Sequence, residues 1–357
     1  MLKPERLRKG DKIAIISLSR GLLGEDFMAH QRKLIEERLH SFGLEVVYTP
    51  HALAGLEFLE KNPEKKAEDL KWAFADKSIK AILCTIGGED TYRTIPYLLG
   101  DEEFARLVAD NPKVFIGYSD SSINHATLYK LGLQTFYGFS AIVDFGELGN
   151  EMLPYSKEWF SRLFEPTEKT EIISSPVWYM ERTDFSAEAL GTSRIRNPET
   201  KGIEILAGSG KVQGRLFGGC IETLGELLLG DRYSDEKEIE ERYQVFPKSE
   251  DLKDSIIFLE TSEEKATPER LKELLNALDK RGAFEAAKGF LIGKPQDEAY
   301  YEEYKEVIAE VIGQYNKPIF YNLNFGHAHP HCLLPYGALV ELDCETKKVV
   351  ICEELVS

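Results

Sequence analysis

Along the first 140 residues, short continuous apolar runs alternate with stretches whose apolar residues recur every three or four positions. Lys12-Ile13-Ala14-Ile15-Ile16-Ser17 is a β-branched run that opens into Ser17-Leu18-Ser19-Arg20-Gly21, which predicts a strand and its exit loop. From Glu25 to Phe42, residues Phe27, Met28, Leu34, Ile35, Leu39 and Phe42 keep helical spacing, and Gly43 closes the segment. An amphipathic helix with a glycine stop has that pattern. Further strands are predicted at Leu44 to Tyr48, Ala81 to Ile86, Lys113 to Ile116 and Gln134 to Tyr137. Helices are predicted at Ala67 to Ala75, Thr91 to Leu99 and Glu102 to Ala109. Strands apolar throughout and alternating with helices indicate an α/β domain, a flavodoxin- or Rossmann-like parallel sheet with helices on both faces. Ligands bind such sheets beyond the carboxyl ends of the strands, where Gly87-Gly88 and Ser119 both fall.

Regularity fades between about 150 and 210. Thr183 to Gly202 is polar, with Gly191, Asn197 and Pro198, and reads as a connection or a long active-site loop. Pro176-Val177-Trp178-Tyr179-Met180 just before it is apolar and aromatic. The pattern resumes at Gly214-Arg215-Leu216-Phe217-Gly218-Gly219, followed by a helix to Leu229. Ser255 to Leu259 predicts a strand ending at Glu260. Thr267-Pro268-Glu269 carries the cap, first-turn proline and acid of a helix start. Strands follow at Gly289 to Ile292 and Pro318 to Phe325, a helix at Tyr300 to Ile312, and a closing hairpin at Ala338 to Leu342 and Lys348 to Cys352. The expected organisation is an α/β domain over 1–165, a connection over 166–210 and a β-rich α/β domain over 211–357. The charge run Asp235 to Arg242 reads as a solvated helix face.

Composition narrows the function classes. The chain has 357 residues, a net charge of −17 and a pI near 5.0, which disfavours a nucleic-acid polymer or an anionic membrane as partner. Five scattered cysteines without a C-x-x-C pair suit reduced thiols in a cytoplasmic protein. No apolar run approaches the length of a membrane span.

The stretch Ile116-Gly117-Tyr118-Ser119-Asp120-Ser121-Ser122 joins a buried-strand pattern directly to a helical one. A serine on so tight a turn has its hydroxyl lifted clear of the sheet, with backbone N–H groups following it. The same residues are compatible with Ser119 or Ser121 simply capping the helix. A nucleophilic serine needs a base, and the base an acid that orients it. Among seven histidines, His30, His40, His51 and His125 read as solvated or packed side chains. His327 follows a strand end through Gly326, and Glu260 directly follows a strand; both stand where sites collect. In His327-Ala328-His329-Pro330-His331 alternation could align three imidazoles for zinc, but Pro330 interrupts strand pairing, so no metal is expected. Gly208-Ser209-Gly210-Lys211 lacks the first glycine and the final Ser or Thr of a phosphate loop.

Taken together, Gly87-Gly88-Glu89-Asp90, Gly117-Tyr118-Ser119-Asp120, Gly218-Gly219, Phe258-Leu259-Glu260 and Phe325-Gly326-His327 resemble the LD-carboxypeptidase family, in the family's order and along nearly the whole chain. The resemblance implies a Ser-His-Glu triad of Ser119, His327 and Glu260, an oxyanion hole from the amides of Gly88 and Asp120, a homodimer and no cofactor. The polar segment 183–202 and Leu259-Glu260-Thr261-Ser262-Glu263-Glu264 look closer to the microcin C self-immunity branch than to murein recycling. That branch cleaves an amide joining a peptide's terminal aspartate to a modified nucleotide, and Trp178 and Tyr179 are placed to meet the base. Arg215 and Lys265 are the candidates for a substrate carboxylate. The expected activity is hydrolysis at the C-terminal end of a small peptide or peptidyl-nucleotide. Two other readings are a murein tetrapeptide LD-carboxypeptidase and a non-catalytic binder of the same fold.

Overall fold

The computed structural model describes residues 1–166 and 168–357, which fall into two compact units. The first holds 1–166, 182–194 and 355–357; the second holds 168–181 and 195–354.

In the first unit the strands are β1 (Lys12–Ile16), β2 (Glu45–Tyr48), β3 (Ile79–Cys84), β4 (Val114–Gly117) and β5 (Phe136–Tyr137). They run parallel in the order β2-β1-β3-β4-β5. This is the doubly wound order, whose binding crevice lies at the carboxyl ends near the reversal between β1 and β3. Ile13 to Ile16 and Val114 to Ile116 are wholly buried because helices cover both faces. One side packs Ala14, Ile16, Ile82 and Phe115 against Leu70, Phe74 and Phe104. The expected parallel sheet is therefore present, with the helices Ala29–Ser41, Pro63–Ala75, Glu102–Asp110 and Ser122–Lys130 as its crossovers.

The second unit starts with β6 (Thr170–Glu171), β7 (Val177–Tyr179), β8 (Arg196–Pro198), β9 (Glu204–Ala207), β10 (Lys211–Cys220), β11 (Ser255–Glu260), β12 (Gly289–Gly293) and β13 (Ile319–Leu323). Strands β10 to β13 are parallel neighbours at the centre of an eight-stranded mixed sheet. Leu339–Asp343 and Lys348–Ile351 pair antiparallel as the expected hairpin. The carboxyl ends of β10 and β11 lie level, with Cys220 opposite Glu260.

Two local expectations change. The charge run 235–242 is not a uniformly solvated face: Glu236 and Glu240 of the helix Glu236–Tyr243 are buried. Glu240 Oε2 accepts from the amides of Val245 at 2.9 Å and Phe246 at 3.2 Å, while Oε1 meets Arg281 at 3.1 Å. Buried acids persist where such partners offset their desolvation. Within the irregular stretch, β7 and β8 form a separate two-stranded hairpin. Residues 182–194 instead join the first unit, where Glu147 receives Arg194 Nε at 2.6 Å and Arg182 Nε at 2.9 Å. Burial would raise the Glu147 carboxyl, but the two guanidiniums outweigh it and hold it below its ordinary value.

Among the described residues no helix is long and apolar enough to cross a membrane. All five cysteines are free thiols.

Candidate active site

In the first unit β4 ends at Gly117, and a short 3-10 turn, Ser119–Ser121, leads into the helix Ser122–Lys130. Ser119 takes φ +62°, a left-handed conformation that a non-glycine residue adopts at a cost. Its amide donates to Tyr137 Oη at 3.1 Å, and its carbonyl accepts from Ser122 Oγ at 2.7 Å. Behind the turn, His125 is fully buried. Gly117 O can only accept, so Nε2 donates to it at 3.0 Å and Nδ1 faces Thr135 Oγ1 at 2.7 Å. Burial pushes this imidazole down to about 3, so it is a neutral packing residue, as expected of it.

The loop after β3 closes on this turn. A methyl added at Gly87 would lie 2.8 Å from Ser119 Cβ and 2.9 Å from its Oγ, so the loop can approach only as glycine. Its far end is anchored by Lys66, fully buried, which meets both oxygens of Asp90 at 2.7 Å. Asp120 turns inward and accepts from Thr91 N at 3.0 Å and Ser19 Oγ at 2.5 Å. Burial pushes its carboxyl up to about 6 against those hydrogen bonds. The Gly87–Asp90 loop and the serine turn are thus one tied assembly.

In the second unit Glu260 and His327 are paired. Glu260 Oε2 lies 2.7 Å from His327 Nδ1 and accepts from the His327 amide at 3.2 Å. Gly326, at φ +84°, makes that approach possible, since a Cβ there would strike the Glu260 carboxylate. Both side chains are buried. Burial alone would lower the imidazole, but Glu260's charge and hydrogen bond, with Glu263's, outweigh it and carry His327 well above its ordinary value. A carboxylate on Nδ1 fixes which nitrogen is presented outward and stabilises the imidazolium, the job of the acid in a hydrolytic triad.

The N-terminal LD-carboxypeptidase domain model matches residues 13–138, and the C-terminal LD-carboxypeptidase domain model matches 213–342. The chain belongs to the LD-carboxypeptidase family. It is accordingly a serine peptidase. Among solved structures it is similar to an MccF-like protein from Streptococcus pneumoniae crystallised with AMP, at 43% identity and TM-score 0.91 over 95% of this chain and 98% of that one. The Escherichia coli microcin C7 self-immunity protein MccF is 29% identical over 82% of this chain and 80% of its own. The murein tetrapeptide carboxypeptidase of Pseudomonas aeruginosa is 23% identical over 86% of each.

Within this LD-carboxypeptidase fold the remaining candidates have mixed fates. Trp178 and Tyr179 stand half-buried on β7. The Tyr179 amide donates to His329 O at 3.0 Å, so the hairpin is tied to the loop carrying His327. Lys294 Nζ lies 5.1 Å from the Trp178 ring centroid and fixes one side of the indole. Lys265 pairs with Asp297 at 2.7 Å, and Asp297 also accepts from Glu181 N at 2.8 Å. Arg215 is not brought to the dyad. It lies opposite Ser255, whereas Cys220 lies opposite Glu260. Five strand residues place it roughly 16 Å from that end. Its guanidinium donates to Gly337 O at 2.7 Å.

The three imidazoles of 327–331 do not converge. His327 holds Glu260, His329 Nε2 meets Glu181 Oε2 at 2.8 Å, and His331 stacks on His329 at 4.5 Å. Cys220, Glu260 and His327 place one donor atom each within 4.8 Å of one another, and within that group Glu260 Oε2 is engaged by His327 Nδ1 at 2.7 Å. Two acids that sequence reasoning passed over stand at this dyad. Glu222, buried in the first turn of the helix Ile221–Leu229, accepts from Ser262 N at 3.0 Å and from the Cys220 thiol at 3.4 Å. Burial, then the charge of Glu260, pushes its carboxyl up to about 7. Glu263 reaches His327 Nε2 at 2.9 Å. The signal for Glu222 was its place two residues after the Gly-Gly-Cys strand end.

Proposed function

We propose that this enzyme is a carboxypeptidase-type amide hydrolase acting on a small peptidyl-nucleotide conjugate through a triad of Ser119, His327 and Glu260. The observation that carries the proposal is the buried Glu260–His327 pair, whose 2.7 Å bond to Nδ1 leaves Nε2 as the proton-exchanging atom. Ser119 attacks the amide carbonyl as His327 Nε2 takes its proton. His327 then returns the proton to the departing nitrogen, and Glu260 stabilises the imidazolium throughout. The amides of Gly88 and Asp120 hold the oxyanion; the Gly88 amide has no backbone acceptor among the described residues, which suits that role. Water then hydrolyses the acyl-enzyme by the same proton relay.

For the substrate, the supporting facts are the nucleotide in the 43%-identical relative and the tethered Trp178–Tyr179 hairpin. An indole held on one side by Lys294 offers a rigid stacking surface for a base. The test compares kcat/KM on peptidyl-aspartyl sulfamoyl adenosine and on murein tetrapeptide. The conjugate should be the better substrate; faster release of D-alanine from the tetrapeptide would place the enzyme in murein recycling instead.

A further inference from the structure

The two ring nitrogens of His327 have different partners. Glu260 holds Nδ1. Nε2, the atom a serine hydroxyl has to reach, faces Glu263 Oε2 at 2.9 Å. Each ring nitrogen offers one in-plane direction, filled by a lone pair or by a proton. A carboxylate already lying along it therefore competes with any hydroxyl for the same place.

The local chain explains why Glu263 can both reach and leave. The residue just before it is pinned, with the Ser262 amide held by Glu222 Oε2 at 3.0 Å. The Glu263 side chain itself is 62% exposed, against 6% for His327 and 0% for Glu260. An ion pair with one partner in water loses little when water takes over. Of the three acids around the ring, Glu263 alone stands in solvent; Glu260 and Glu222 are buried.

We infer that Glu263 gates the site: its carboxylate occupies Nε2 of His327 in the resting enzyme and has to swing away before that nitrogen can exchange a proton with a serine hydroxyl. The inference rests on His327 being the general base. Among the described residues, the ionisable groups facing the ring are Glu260 from the end of β11, Glu263 from the loop after it, the Cys220 thiol at the end of β10 and Glu222 from the helix that follows β10. All three carboxylates favour the imidazolium, which carries a proton on both nitrogens and cannot accept another. Departure of Glu263 opens the direction and weakens the ring's hold on its proton in one movement. Glu263 is thus a positioning residue, acting through His327.

The test uses the full-length enzyme with Glu263→Gln, which keeps size and loses charge, and Glu264→Gln as a neighbour control. Glu264 pairs with Arg232 at 2.8 Å. The first readout is the titration midpoint of His327, followed by NMR without substrate; the second is the pH profile of kcat/KM. In Glu263→Gln the midpoint should fall and the acid limb should follow it. At the foot of that limb kcat/KM should rise about threefold to tenfold, since a midpoint lower by about one pH unit leaves about ten times as much free base. Glu264→Gln should move neither, and Glu263→Asp, charged but shorter, should fall between Gln and wild type. An unmoved midpoint in a folded Glu263→Gln protein overturns the gate. A midpoint that moves while the kinetic limb stays put overturns His327 as the base, and the gate with it.

Discussion

Glu260 grips His327 twice, through the ring Nδ1 at 2.7 Å and through the backbone amide at 3.2 Å. One carboxylate oxygen therefore fixes both the position of the residue and the tautomer of its ring. Glu260→Gln removes the charge and can present an amide N–H to Nδ1. In the proposed triad it should lower kcat by about 10³–10⁴-fold, as expected where the orienting acid is lost, with the fold retained by circular dichroism.

The same pair sets a pH dependence. His327 is raised above its ordinary value of 6.5, against burial, by Glu260 and Glu263. If His327 is the base of the proposed triad, kcat/KM should climb as pH rises through a midpoint above 6.5. Stability runs the other way. A raised folded value means that the pair's contribution is complete below about 6.5 and is lost as pH rises through the folded midpoint. A rate profile falling over that range would contradict the assignment.

Glu222 supplies a separate prediction. Its folded value of about 7 stands above the ordinary 4.5. Its stabilising share is therefore full below about 4.5 and lost as pH rises through about 7. Glu222→Gln keeps an acceptor for Ser262 N without the buried charge. The variant should gain about 1–3 kcal/mol over wild type at about pH 8, with little difference at about pH 4.5. Thermal unfolding at the two pH values checks this.

Gly87→Ala tests how closely the glycine loop and Ser119 depend on each other. The added carbon would sit 2.8 Å from Ser119 Cβ, so the serine or the loop must move. A displacement near 1 Å can cost about 10²-fold in rate, and kcat/KM should fall by that order. Gly313→Ala, where an added Cβ meets nothing within 4 Å, should leave kcat/KM unchanged.

Much of this was legible because strand ends are visible in sequence. Val114 to Gly117 and Ser255 to Glu260 are apolar runs cut off by a glycine or a lone acid, and both end where expected. What escaped was made by long-range contact. The hairpin of Val177–Tyr179 and Arg196–Pro198 has three residues per strand, too few to show a period. The run 235–242 looked solvated because sequence cannot display the Val245 and Phe246 amides that draw Glu240 inward. Arg215 lay near the glycine pair along the chain, yet an extended strand carries it away from Glu260. Glu263 lies beside Glu264 in sequence and looked no different from it; only the return of His327 after β13 separates the two.

Trp178 separates the substrate readings. If its ring stacks on a base, Trp178→Ala should lower kcat/KM on the adenosine conjugate by about 5–150-fold, equivalent to roughly 1–3 kcal/mol. Trp178→Phe should recover part of the loss. The murein tetrapeptide has no base, and its hydrolysis should change little. Equal losses on both substrates would remove the stacking role.

Ser119 as an activated nucleophile served by His327 and Glu260 is tested most directly by mass-spectrometric mapping of the adduct left by a fluorophosphonate probe. The expected result is a single modification on Ser119, absent in Ser119→Ala and strongly slowed in His327→Ala. An adduct on another residue, or an active enzyme whose Ser119 stays unmodified, would contradict the triad.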